Sequence, residues 1–457
     1  MSLTLAAWLI MFACGLMLSF ANPVFGLLAY LLEYYLRPSL NWWGQSLPDL
    51  RWTFMAALVM AVTFALRRSS LTPMAPARNL GLPFAVLMCL NVLLVTQWAV
   101  NPDLSWVWGS TFLKHMAVYA LIIGIIRSRV AFEWFVTTNM MGIAWWGYNA
   151  IGAKRSAGRL ESVGSGDSLG SNLLGAHLLT ILPFVLLYAL SDRNKWRRGL
   201  AVITLPLLVN LIVLANSRGA MMGVAAAFLA ALPLAGKRQR LPLLAGAICL
   251  AGAFYLLADK QFIERQQTTQ TAAEKDNSAM ERIKSWQGAM GLVRDYPLGG
   301  GGRAFHLLSP IYIPDIVEGH GGQGRSVHNT LLQVAAEWGL QGLTLYLGFL
   351  GSTFIMLRQV RKRAPPKEWM AYRAICVQLG LIGTFVAGLF GDRFYGESVY
   401  WLCALSFALV RIQATELAGA EVRTEAAPRP DPLKHQVTHR ASWRPEPTIA
   451  RRLPSTR

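Results

Sequence analysis

Charge is scarce in this chain, and what there is carries one dominant sign. Only 15% of the 457 residues are Asp, Glu, Lys or Arg, against 54% hydrophobic, and the mean hydropathy is +0.38. This excludes an ordinary soluble multidomain protein and points to a helical membrane protein, so length does not count domains here. Acidic residues are the rarer kind: 24 Asp and Glu stand against 43 Lys and Arg, for a net charge of +19. The excess does not describe a nucleic-acid surface. Its cations cluster in short runs between apolar stretches and in the C-terminal tail, where the positive-inside rule puts them. Cysteine is scarce too. Cys14, Cys89, Cys249, Cys376 and Cys403 all fall in apolar stretches without metal-type spacing, so they are expected to be core thiols, with no disulfide or zinc site. Also missing from the candidate outer-face residues are an Asp-x-Asp pair, a nucleotide-binding glycine loop and a Ser-His-Asp order. Those absences disfavour a metal-dependent nucleotide-sugar donor and leave chemistry whose donor arrives already activated, with no metal or cofactor expected.

What is present is a series of apolar runs. Stretches able to cross roughly 30 Å of hydrocarbon lie at 3 to 20, 51 to 66, 82 to 99, 106 to 126, 130 to 150, 172 to 190, 198 to 215, 219 to 235, 241 to 258, 329 to 357, 371 to 390 and 398 to 411. The expected fold is therefore an all-α integral membrane protein of about twelve transmembrane helices. The run at 3 to 20 has no basic segment before it and no clear small-residue cleavage site, so it reads as a retained span. The run 22 to 36 is short, holds Pro23 and is bounded by Glu33 and Arg37, which suits a half-span or interfacial helix.

Between 259 and 327 the apolar series is interrupted by a long polar loop, and such a loop is more often functional than a connector. The organisation follows: spans with short loops over 1 to 258, the large loop over 259 to 327, further spans over 328 to 412, and a disordered tail over 413 to 457, rich in Pro, Arg, Glu and Thr. Basic loops at 67 to 78, 127 to 129, 193 to 198, 237 to 240 and 358 to 367 alternate with base-poor ones, Lys154 and Arg155 being the exception. The basic set should face the cytoplasm, placing the large loop on the outer, periplasmic side. Trp98, Trp106 and Trp108 flank one outer turn as an interfacial belt would.

Several outer residues are candidates for chemistry. Arg218, in Asn216-Ser217-Arg218-Gly219, either snorkels to the interface or uses the room left by its small neighbours to meet a phosphate with its guanidinium fork. Arg282 lies in a segment of helical spacing whose Ile283, Trp286, Ala289 and Met290 share a side; it projects toward a ligand or stays a solvated charge beside Glu281 or Asp276. The run Pro297 to Arg303 lets backbone approach a ligand closely or is a tight turn. His328 precedes Asn329, a good helix N-cap, at the membrane boundary, where a neutral imidazole can take a proton from an acceptor hydroxyl. Lys114 and His115 sit inside a span, about 12 Å below its outer end by helical rise, where ionisable groups are costly. Arg159, Asp167, Asp392 and Arg393 either line the same cavity or only pair with neighbours.

Ser217-Arg218-Gly219, Arg282-x-x-x-Trp286, Pro297-Leu298-Gly299-x-Gly301 and His328-Asn329-Thr330-Leu331-Leu332-Gln333-x-Ala335-x-Glu337-x-Gly339-x-x-Gly342, in that order, resemble the O-antigen ligase family, whose superfamily also holds O-antigen polymerases and protein O-oligosaccharyltransferases. The resemblance runs over roughly 150 to 410. It implies a metal-independent glycosyltransferase of the GT-C type in the bacterial inner membrane, with its active site facing the periplasm. The implied donor is a glycan on undecaprenyl diphosphate, and the leading acceptor is a lipid A-core sugar, with membrane lipids around both and no nucleic acid. On this resemblance His328 is the catalytic residue and Arg218 and Arg282, with Arg265 a further candidate, bind the diphosphate; Arg159, Lys114, Asn329, Arg303 and Asp392 are supporting candidates by their place in the sequence. A lipid-linked glycan transporter is the alternative of another class; broken helices, midplane ionisable pairs and a repeat would mark it, and only Lys114-His115 hints at that.

Overall fold

Apolar runs become helices because a backbone surrounded by hydrocarbon must satisfy its own hydrogen bonds. The computed structural model describes residues 2–48, 50–156, 158–234, 277–365 and 368–426, with short helical pieces between 248 and 263. Among these residues the regular structure is helical, apart from an isolated bridge between Ser156 and Arg159. The helices before the large loop are α1 Leu3–Ser19, α2 Pro23–Leu36, α3 Trp52–Arg67, α4 Leu82–Gln97, α5 Pro102–Ile125, α6 Arg129–Ala150, α7 Ser171–Ser191, α8 Lys195–Ala215 and α9 Arg218–Leu234. Within the loop lie α10 Asn277–Asp295, α11 Ala304–Tyr312 and α12 Pro314–Gly319, and after it α13 Thr330–Arg363, α14 Trp369–Gly388 and α15 Glu397–Ala426.

Six of these, α5, α7, α8, α13, α14 and α15, are long and apolar enough to cross a membrane, and α1, α3, α4 and α9 are shorter apolar helices. Most of the expected stretch 241 to 258, Cys249 included, lies outside the described residues, as does Arg265. The chain divides into two units, Met1–Ala414 and Thr415–Arg457. Of the second, residues 415–426 are described and are helical, so α15 continues past the expected start of the tail at 413.

One open reading narrows and two expectations change. Of the two readings of 22 to 36, the burial of α2 favours the half-span: Tyr30, Leu31, Tyr34 and Tyr35 are buried, and Tyr34 and Tyr35 pack against Trp146, His177 and Trp401. Its three tyrosine hydroxyls all find partners on other elements, which makes burial affordable for so polar a short helix. Cys14 is exposed on α1 rather than in the core, while Cys376 and Cys403 are buried and Cys89 half-buried. The span expected from 329 to 357 is broken: Gly339, at φ 79 and ψ 172, splits α13 into a short first part and a long second part.

The bundle is tied at both ends. Where α7, α9 and α14 meet, glycines allow close approach; a Cβ on Gly175 would lie 2.7 Å from Ala220 Cβ, and one on Gly223 would lie 2.4 Å from the Gly383 carbonyl oxygen. At the end carrying the basic loops, buried Glu133 of α6 accepts from Arg373 of α14 at 2.7 Å, pairs with Arg197 of α8 at 3.1 Å and accepts from Tyr188 and Trp369. Those contacts leave the opposite ends of α9 and α14 side by side, which is where the candidate site forms.

Candidate functional site

The turn between α14 and α15 gathers the site. Thr330, the first residue of α13, donates through Oγ1 to the Gly391 carbonyl at 2.9 Å and accepts from the Arg393 backbone N–H at 2.9 Å. Arg393, 2% exposed, reaches the Asp167 carbonyl at 3.1 Å and the Ser398 hydroxyl at 3.2 Å, with its guanidinium 3.9 Å from the Asp167 carboxylate. Asp167 also accepts from Tyr34 at 2.5 Å and from the Glu397 N–H at 2.7 Å. Burial opposes ionisation of Asp167, but Arg393, His177 and the Tyr34 hydroxyl hold its carboxyl below the usual range. Asp167 and Arg393 thus pair with each other and anchor the turn.

Phe390 of the same turn carries the contacts outward. A Cβ on Gly219 would sit 3.1 Å from Phe390 Cβ, and the Trp286 ring of α10 lies 6.2 Å from the Phe390 ring. These contacts bring the start of α9 and the middle of α10 to one place. Arg218 adjoins Gly219, and Arg282 precedes Trp286 by about one helical turn. Beside them, Arg159 Nη2 and Ser217 Oγ both donate to Asn172 Oδ1, at 2.8 and 2.9 Å.

His328 lies within electrostatic reach of Arg282, Arg325 and Arg159. It is half-buried, and its φ of 55 places it in the left-handed region, a conformation that costs a non-glycine residue about 1–3 kcal/mol and concentrates at functional sites. Asn216 and Arg303, which flank the same site, share that conformation at φ 47 and 62. Asn329 caps α13, accepting from Leu331 N and Leu332 N at 3.0 and 3.1 Å, and so fixes where the helix begins and where His328 projects. Burial lowers the His328 pKa, and Arg282, Arg325 and Arg159 lower it further against the opposing pull of Asp392. These influences favour the neutral form of the imidazole.

Glu281, the neighbour of Arg282, pairs with Arg325 at 3.3 Å and with His320 at 3.7 Å. The buried face of α10 differs from the expected one: Ser285, Gly288, Ala289 and Leu292 are covered, whereas Ile283 and Met290 are exposed. The reason is close approach, since a Cβ on Gly288 would meet Ile313 Cγ2 at 2.7 Å. Through this face the loop builds its own apolar core of Ala289, Leu292, Phe305, Ile316 and Val317, which runs on to Ala336 of α13.

The glycine run is not a ligand cradle. Gly300 N and Gly301 N donate to the Ala336 and Glu337 carbonyls at 2.9 and 2.8 Å, and Gly302 N donates to Ser105 Oγ at 3.0 Å. Leu340 N in turn donates to the Pro297 carbonyl at 3.0 Å. The run supplies the hydrogen bonds that α13 loses at Gly339, which explains both the kink and the need for small residues. Arg303, at the end of the run, lies 4.0 Å over the Trp108 ring, so Trp108 faces the site while Trp98 and Trp106 remain exposed as a belt requires.

Below His328 a pocket is lined by Arg303, His306, Ser326, Gln333, Glu337 and Asp392. Gln333 and Glu337 belong to the quoted motif but stand apart from the expected site residues; their spacing of four along a helix is the signal that places them on one face. Gln333 Nε2 donates to Glu337 Oε1 at 3.3 Å, and Tyr395 donates to Glu337 Oε2 at 2.6 Å. His306 titrates below its usual value because of burial and Arg303. Lys114 is exposed on α5 and does not line this pocket, while His115 is buried and bonded to the Tyr395 carbonyl at 3.1 Å. Counted from Pro102, where α5 begins, Lys114 is about 18 Å along the helix rather than about 12 Å.

No curated protein matches the sequence. Residues 200–347 match the family model described as O-Antigen ligase, a span that holds Arg218, Arg282, Arg303, His328 and the Gly339 kink. Over residues 200–347 the chain is thus similar to the O-antigen ligase family, in line with the resemblance of its motifs.

Proposed function

We propose that this protein is an O-antigen ligase of the bacterial inner membrane, transferring a glycan from undecaprenyl diphosphate to a hydroxyl of a lipid A-core sugar at the periplasmic face. The observation that carries this reading is the half-buried imidazole of His328 at the junction of loop and span, close enough to Arg159, Arg282 and Arg325 to feel their charge. In the reaction His328 takes the proton of the acceptor hydroxyl as its oxygen bonds to the anomeric carbon. The bond from that carbon to the diphosphate oxygen breaks, and the electron pair leaves with the undecaprenyl diphosphate. Arg282 and Arg218 bind the diphosphate and stabilise the charge that accumulates on it, with Arg159 in support and Arg265 a further ligand by its place in the chain. Direct displacement with one base and no second nucleophile inverts the anomeric centre. The guanidiniums supply the positive charge that a divalent metal provides elsewhere, so the reaction runs without one.

A polymerase or protein O-oligosaccharyltransferase shares this donor and differs only in acceptor. The break at Gly339 is the feature a transporter would also have. It is, however, closed by the glycine run, and the sequence carries no internal repeat. The lipopolysaccharide banding of a deletion strain tests the reading. Loss of long glycan with intact core and accumulation of lipid-linked polymer is the expected result, and shortened but still ligated glycan would make the protein a polymerase instead.

A further inference from the structure

Asn172, the second residue of α7, joins two other segments through one atom. Its Oδ1 accepts from Arg159 Nη2 at 2.8 Å and from Ser217 Oγ at 2.9 Å. A guanidinium can only donate, so the atom facing Arg159 has to be the amide oxygen, and the orientation of this amide follows from chemistry alone. Ser217 in turn accepts from Ala220 N at 3.3 Å, as the N-cap of α9 does, and Arg218 is the first residue of that helix. Gly175, one turn along α7 from Asn172, makes room for the cap: a Cβ there would lie 3.4 Å from Ser217 Cβ. The backbone of Arg159 is fixed by paired hydrogen bonds with Ser156, both of 2.9 Å, and Leu160 N beside it donates to the Leu214 carbonyl of α8 at 2.9 Å.

The oxygen holds a cation, yet the residue that carries it is neutral. A carboxylate in its place would accept from the same two donors and, with charge assistance, bind Arg159 more firmly. It would also offset the charge of the guanidinium at close range. The carboxylate of Glu161 lies nearby but is turned to the start of α7, where its oxygens accept from Ser171 Oγ at 2.6 Å and Ser171 N at 3.1 Å; it stays 3.8 Å from Arg159 Nη1. A strap with a purely structural task gains from a carboxylate. A neutral anchor suits a cation whose charge is meant for an anion, and the charge of Arg159 does reach His328.

We propose that Asn172 is a positioning residue for the donor diphosphate: it sets Arg159 and the capped start of α9, where Arg218 stands, around one anion, and its neutrality leaves the Arg159 charge to that anion. The role rests on the diphosphate reading of the donor and deepens it by naming the group that aims the cations. Asn172 works through Arg159, so substitutions at the two positions are coupled rather than additive.

The test uses the purified full-length protein in detergent, with undecaprenyl diphosphate and uncharged undecaprenol as the binding probes. Asn172→Asp keeps the shape and both accepted hydrogen bonds, so it should melt at or above the wild-type temperature. It should nonetheless bind undecaprenyl diphosphate about tenfold more weakly, equivalent to roughly 1.4 kcal/mol, with undecaprenol binding unchanged. Asn172→Ala, which unties Arg159 without adding charge, should also weaken diphosphate binding, and should cost little more in an Arg159→Gln background. An equal loss from Asn172→Ala with and without Arg159 overturns the role, as does wild-type diphosphate affinity in Asn172→Asp. Wild type that binds both lipids alike removes the diphosphate reading itself, whereas a wild-type preference for the diphosphate that both Asn172 variants keep removes the positioning role alone.

Discussion

Thr330 and Arg393 clasp the two sides of the site through one hydroxyl: Thr330 Oγ1 receives the Arg393 backbone N–H and gives its own proton to Gly391, both at 2.9 Å. The start of α13, where His328 sits, is thereby fixed to the turn that carries Asp392. Thr330→Val keeps the shape of a 5% exposed side chain and strands one N–H and one carbonyl, at about 1–3 kcal/mol for each group left unsatisfied. A lower melting temperature in detergent and a reduced transfer rate are expected, with Thr330→Ser restoring most of both. Unchanged melting of Thr330→Val would show that the clasp does not hold the turn.

The dock of the glycine run onto the α13 kink gives a second prediction. Gly299 has φ 97, and a Cβ there would lie 2.6 Å from Gly339 N and 2.8 Å from the Glu337 carbonyl oxygen. Gly299→Ala should cost about 2 kcal/mol or more. Gly319→Ala, at a position with open space around it, should be close to neutral. Thermal unfolding of the two variants side by side decides the point, and similar melting would mean the run can move away from the kink.

Electrostatics around His328 sets a pH dependence. Burial and the cations of Arg282, Arg325 and Arg159 lower its pKa below the ordinary 6.5, so the base stays neutral as pH falls through that value and loses activity only in more acidic solution. Arg282→Gln removes one lowering influence and should move the acid limb of kcat/KM upward, toward 6.5. Asp392→Asn removes the raising influence and should move it downward. A limb that stays fixed in both variants would mean that another group is the base.

Topology is open to chemical labelling. In a background lacking the five cysteines, single cysteines at Asp315 and Gln323, both exposed, should react with an impermeant maleimide from the periplasm. One at exposed Ser191 should be protected. The reverse pattern would place His328 in the cytoplasm and remove the lipid-linked-donor mechanism.

How much of this was legible beforehand depends on what each feature is made from. Helices such as α7 and α8 are written as local apolar runs, and the Asn329 cap and the 282–286 spacing are equally local, so His328 and Arg282 could be singled out from sequence. Approach between distant segments is not written that way. That Gly300 and Gly301 donate to Ala336 and Glu337 depends on a kink that a run of apolar residues hides. That Trp108 turns in under Arg303 depends on a loop folding back across about two hundred residues. Gln333 and Glu337 sat in plain view within the motif, but that they share a pocket with Asp392, from beyond the end of α14, appears only in the fold.

The most direct test of the central claim is transfer in proteoliposomes from an undecaprenyl-diphosphate-linked glycan to rough lipopolysaccharide, in the presence of EDTA, by wild type, His328→Ala and His328→Gly. Glycine suits the φ of 55 at that position and leaves the fold unstrained, so this variant separates loss of the base from loss of structure. Wild type should transfer at full rate with EDTA, and both variants should lose about 10²- to 10⁴-fold while His328→Gly melts within a few degrees of wild type. Transfer by the His328 variants at the wild-type rate, or a wild-type reaction abolished by EDTA and restored by magnesium, would contradict the account.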